Sequence, residues 1–89
     1  MYRMNEMKAV YFAWVRERIG KSDEEIDPPA NVATIGELIA WLAASGEQYA
    51  YAFEKPSVIR AAIDRKHVKH DTKFSGAREV AFFPPMTGG

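Results

Sequence analysis

The chain closes on Met86-Thr87-Gly88-Gly89, directly after Pro84-Pro85. Two side-chain-less residues next to a carboxylate let the backbone enter a slot too narrow for any Cβ. A carboxylate is a poor electrophile. Once activated it becomes an acyl carrier, and a covalent carrier splits one hard step into easier ones. The prolines stiffen the first part of the segment, which from Pro84 onward reaches about 20 Å at ~3.3–3.6 Å per residue. A terminal Gly-Gly alone favours a frayed chain end. A presented group is favoured by three features together: exit from a strand, the two prolines and the bare final residues.

Other chemistry is narrowly bounded. The chain has no cysteine, which removes disulfides, thiolate metal sites and a catalytic thiol. His67 and His70 are too few for a metal site and read as solvent-facing hairpin residues; no metal and no permanently bound cofactor are expected. Twelve basic and twelve acidic residues cancel, which leaves no strong pull toward nucleic acid or an anionic membrane. Arg60, Arg65, Lys66, Lys69 and Lys73 are diluted by Asp64 and Asp71 and read as a solvated hairpin face. No apolar run approaches the ~20 residues of a membrane span, and Met1 to Glu6 lacks the apolar stretch of a signal peptide. A cytoplasmic location fits. Eighty-nine residues make one domain with a thin core, so function should sit on the surface or at an end.

The elements that must carry this tail follow from pattern. Residues 8–15 are aromatic and branched and read as a strand, with Ala9, Tyr11, Ala13 and Val15 on one face and Val10, Phe12 and Trp14 on the other. Gly20 serves as the following turn. Residues 23–27 suit a second strand stopped by Pro28-Pro29. Thr34 and Glu37 have capping-box spacing, and Ile35, Leu38, Ile39 and Leu42 form one helical stripe. Gly46 fits a left-handed helix end, and 47–53 a weaker helical piece. Strands are expected over 58–63, 67–70 and 78–83, with turns at 64–66 and Ser75-Gly76. In the last strand Val80 and Phe82 share one face, Ala81 and Phe83 the other. The first and last strands are the most apolar and should lie side by side in the sheet centre. The class is α+β: a mixed sheet packed on one main helix. Residues 1–6 read as a loose extension, 7–83 as the domain and 84–89 as the extended tail. By parity Phe12 and Phe83 point to one outer face, where exposed aromatics near a reactive tail make a docking patch; burial under a loop is the alternative.

Two segments resemble the small subunits of molybdopterin synthase (MoaD-type sulfur carriers). They are Tyr11-Phe12-Ala13-Trp14-Val15-Arg16-Glu17 with Gly20, and Glu79-Val80-Ala81-Phe82-Phe83-Pro84-Pro85-Met86-Thr87-Gly88-Gly89. Thr34 and Leu38 fall where that family starts its first helix, so the resemblance spans 7–89. It implies a ubiquitin-like β-grasp fold. It also implies an ATP-using activating enzyme that adenylates the Gly89 carboxylate, conversion to a thiocarboxylate, and insertion of the tail into the large synthase subunit. There the sulfur passes to cyclic pyranopterin monophosphate to build the dithiolene of molybdopterin, within a heterotetramer. The catalytic residues would lie in the large subunit, so the chain is no enzyme on its own. Gly89 would be the carrier, Gly88 the clearance residue, and Thr87, Met86, Pro85 and Pro84 the tail. Arg16 and Glu17 match the motif after the first strand and either meet a partner or form an exposed ion pair worth ~0–1 kcal/mol. His67 stands where the family often carries an apolar patch residue.

Three other readings stay open. A thiamin-pathway sulfur carrier shares fold and diglycine, but such chains are typically shorter and lack Phe-Phe-Pro-Pro. A ubiquitin-like modifier would use similar tail chemistry to make isopeptides. A pure interaction module would carry an inert tail.

Overall fold

The structure is a computed structural model and describes residues 6–85. Five strands form one mixed sheet: β1 (Met7–Tyr11), β2 (Asp23–Ile26), β3 (Arg60–Ile63), β4 (Lys66–Val68) and β5 (Glu79–Phe83). Their order is β2-β1-β5-β3-β4. β1 and β5 pair in parallel, Tyr11 opposite Phe82, and the remaining pairs are antiparallel. The two most apolar strands are therefore neighbours, as expected, with β5 in the middle. The helices are α1 (Ala13–Ile19), α2 (Ile35–Ala43) and α3 (Glu47–Ala52), followed by a short 3-10 turn at Pro56–Val58.

Side-chain alternation sorts the sheet into two faces. Met7, Ala9 and Tyr11 of β1, Ala61 of β3 and Val80 and Phe82 of β5 are buried in one core with Ile35, Leu38, Ile39 and Leu42 of α2. The Phe82 ring stacks on Tyr11, centroids 6.2 Å apart, and meets Phe53 edge-on at 5.5 Å. Trp41 packs half-buried at the core's edge. The capping box of α2 is present in both directions: Thr34 accepts from the Glu37 N–H, and Glu37 accepts from the Thr34 N–H. The next orphan donors of that helix, Ile35 N–H and Gly36 N–H, are taken by the carbonyls of Thr72 and His70, which ties the 70–74 segment to the helix start.

The strand expected over residues 8–15 ends at Tyr11. The Phe12 N–H still bonds the Phe82 carbonyl at 3.1 Å. Then Ala13, at φ 54°, turns the chain, and α1 follows. Ala13, Trp14 and Val15 are thus helical, and their assignment to alternating strand faces is corrected. Val15 and Ile19, one turn apart, bury into the core, and Gly20 at φ 87° closes the helix in the left-handed conformation. Gly46 does not close α2: Ala44 caps it, and Gly46 is extended at φ 174°, before α3. The other strands are each one or two residues shorter or displaced from their expected spans. Asp64 and Arg65 both adopt positive φ, 47° and 75°, the backbone of a two-residue hairpin turn that follows strand twist. Asp64 also accepts from the Arg78 and Glu79 N–H groups through its Oδ1.

Candidate functional site

β5 delivers the tail. It is paired on both sides to its end, with Phe83 opposite Arg60 of β3 and the Phe12 N–H on the Phe82 carbonyl, so the root at Phe83 is held by two neighbours. Pro84 and Pro85 follow, both half-buried. Met86, Thr87, Gly88 and Gly89, the carrier residues expected from sequence, lie outside the described residues, as do residues 1–5.

The sheet face opposite the helices carries the expected aromatics. Phe12 is 47% exposed, while Phe83 is half-buried, its ring 5.0 Å from that of His67. With Val10, Ala62 and Ala81 these three line an open hollow of about 440 Å³. Lys8, Asp23, Arg65 and Glu79 form its charged rim, two of each sign, so the patch has no net steering charge. Phe12 reaches this face as the residue capping α1 rather than as a strand member. Arg16 stands exposed on α1, outside the residues lining the hollow. His70 is not a free hairpin residue: its Nε2–H donates to the Ile59 carbonyl at 2.7 Å, since a carbonyl can only accept. Among the described residues no group of three or more His, Asp or Glu is arranged to hold a metal ion. No helix among them is long and apolar enough to cross a membrane.

Two clusters escape a reading of the sequence. In the first, Glu24 Oε2 accepts from the Tyr11 hydroxyl at 2.8 Å and the Tyr49 hydroxyl at 2.6 Å, while Lys21 Nζ donates to Glu24 Oε1 at 2.9 Å. Burial alone would raise the Glu24 carboxyl, but the hydrogen bonds from Tyr49, Lys21 and Tyr11 outweigh it and hold the carboxyl below its ordinary range. Burial, reinforced by the Glu24 charge, pushes the Tyr11 hydroxyl far up, so it stays a donor. The cluster clasps β1, β2 and α3 on the helix side of the sheet. In the second, the Arg18 guanidinium lies between the rings of Trp14 and Tyr51, 4.5 and 4.1 Å from their centroids. The Trp14–Arg18 spacing of four residues signals this pair once the segment is read as helical; partners 33 residues away leave no local signal.

A ThiS family model matches residues 9–89. The molybdopterin synthase sulfur carrier subunit of Escherichia coli is 36% identical over 93% of this chain and 99% of its own length. The subunits of the same name from Haemophilus influenzae and Dictyostelium discoideum are 31% and 32% identical, covering 93% and 96% of this chain and 99% and 98% of theirs. Among solved structures, a putative molybdopterin converting factor subunit 1 of Pyrococcus furiosus superposes with a TM-score of 0.71 at 23% identity, over 91% of this chain and 98% of its own. The small archaeal modifier protein 1 of Haloferax volcanii gives 0.69 at 20%, over 91% and 98%. The sheet order, the capped main helix and these near-complete matches lead to one conclusion: the chain belongs to the ThiS family, is homologous to sulfur carrier subunits of molybdopterin synthase, and has the ubiquitin-like β-grasp fold.

Proposed function

We propose that this chain is the sulfur-carrier subunit of a molybdopterin synthase and that its working group is the Gly89 carboxylate. The observation carrying this reading is the match to three such subunits over nearly their whole length. A tail rooted on the central strand beside an open aromatic patch supports it.

An activating enzyme in the cytoplasm uses ATP: a Gly89 carboxylate oxygen attacks the α-phosphate and pyrophosphate leaves. The terminal sulfur of a donor persulfide then attacks the acyl carbon and AMP departs; a thiol attacks the donor's sulfur in the resulting acyl disulfide, forms a disulfide with the donor and leaves a thiocarboxylate. Phe83, Phe12, His67 and Arg16 dock first the activating enzyme and then the large subunit. Pro84, Pro85, Met86 and Thr87 span the distance into that subunit's active site, and Gly88 and Gly89 pass its narrowest point. The thiocarboxylate sulfur bonds to cyclic pyranopterin monophosphate; water then attacks the Gly89 acyl carbon, the C–S bond breaks with the sulfur left on the pterin, and Gly89 returns as a carboxylate. Two small subunits serve one large-subunit dimer.

The test is intact-mass analysis of the protein incubated with activating enzyme, ATP and a sulfur source. A gain of about 16 mass units, sulfur for oxygen, is expected, followed by its loss when large subunit and pterin are added. No gain overturns the reading. Appearance of higher-mass conjugates in cell extract instead would assign the chain to the protein modifiers, and consumption of the sulfur in thiazole synthesis to the thiamin pathway.

A further inference from the structure

On the helix side of the tail root lies a second, smaller groove that the docking of the outer face leaves unused. Its volume is about 360 Å³, and its lining includes Trp14, Arg18, Ala52, Lys55, Val58 and Pro85. Pro85 is the last described residue, two beyond the end of β5, and it is half-buried. Trp14, in the first turn of α1, is half-buried as well and packs against the core.

The Trp14 ring is clamped. One turn further along α1, the Arg18 guanidinium lies over it at 4.5 Å, with the Tyr51 ring on the other side at 4.1 Å. Arg18 Nη1 donates to the Tyr51 carbonyl at 3.1 Å and pairs with Glu54 at 3.4 Å. A guanidinium between two rings and tied to a backbone oxygen holds both rings in one orientation. A fixed indole beside the groove offers a proline ring a flat apolar surface at little entropic cost, because neither partner has much freedom to lose.

We propose that Trp14, clamped by Arg18, is a positioning residue: it seats Pro85 and thereby sets the direction in which the chain leaves the sheet toward its carboxyl end. This rests on the reading of Gly89 as the sulfur carrier. The seat fixes the point at Pro85 from which the last four residues depart. It also aims them, and such pre-orientation is rate-enhancing when the reacting atom is at the far end.

The experiment separates the seat from the chemistry. In a Trp41→Phe background Trp14 is the only tryptophan. Truncation after Pro84, and separately Pro85→Gly in the full chain, should shift Trp14 emission to the red and increase its quenching by acrylamide. An unchanged spectrum in both variants overturns the seat whatever the chain's function. Trp14→Ala should slow ATP- and activating-enzyme-dependent pyrophosphate release about 3- to 10-fold at fixed enzyme, through kcat more than KM, while Trp14→Tyr restores most of the rate. A full rate for Trp14→Ala overturns the positioning role. If the variants show the spectral response but the wild-type chain gives no pyrophosphate release at all, the carrier reading is rejected and the seat stands.

Discussion

His67 lies with its ring 5.0 Å from that of Phe83 and tilted by 53°, so the edge hairpin covers part of the aromatic that ends the central strand. The pair lines the outer-face hollow together with Phe12. Phe83→Ala should therefore cost partner binding more than folding. Loss of an interface aromatic costs about 2 kcal/mol or more, roughly 30-fold in Kd, whereas a half-buried ring on this face should cost less than about 1.5 kcal/mol of stability. Calorimetric titration with the large subunit, beside a thermal melt, checks both. A collapse in Tm at unchanged Kd would place Phe83 in the core.

Extension of the tail probes the carrier chemistry without touching the domain. One residue added after Gly89 displaces the carboxylate and introduces a Cβ where the diglycine has none. Molybdopterin synthesis in a reconstituted assay should fall to background with the Tm unchanged. Normal synthesis by this variant would reject the proposed role of Gly89.

The Glu24 clasp sets an acid limit on stability. The folded state holds the Glu24 carboxyl below its ordinary range, so the unfolded chain binds more protons in acid. The contribution is complete above the ordinary carboxylate range and is lost as pH falls through the folded value. Glu24→Gln should destabilise at neutral pH by about 1–3 kcal/mol, with the gap to wild type narrowing as the pH is lowered. Urea unfolding at several pH values measures it; a gap independent of pH would show the carboxylate charge to be irrelevant.

The helix start offers a cleaner test of local chemistry. Thr34 accepts from the Glu37 N–H at 3.2 Å, and its loss leaves that donor unmet. Thr34→Ala should cost about 1 kcal/mol, while Thr34→Ser retains most of the stability. Chemical denaturation of the two variants side by side distinguishes cap loss from a packing change.

How much of this was legible in one dimension depends on range. The α2 cap, its stripe of Ile35, Leu38, Ile39 and Leu42, the two-faced β5 and the neighbouring β1 and β5 could all be read, because each is encoded by residues close in sequence or by a strong apolar bias. The segment 8–15 was misread because its composition suits a strand throughout. β1 ends at Tyr11, one residue past its last pair with β2, Val10 opposite Asp23 where β2 begins, and Ala13 then turns the chain; that limit is set by another part of the sequence. The same holds for Gly46, whose helix was already closed at Ala44.

The sequence by itself determined the class of fold, the core of the main helix and the end of the central strand at Pro84-Pro85, since these need only periodicity, capping spacing and the loss of a backbone donor. Tertiary packing decided that residues 13–19 coil, that Tyr11, Tyr49 and Lys21 converge on one carboxylate, and that Arg18 lies over both Trp14 and Tyr51 beside the groove of Pro85. Apart from the local pairs Lys21–Glu24 and Trp14–Arg18, those contacts join residues at least 13 positions apart. Their energy comes from burial and charge pairing between elements, which no local pattern records.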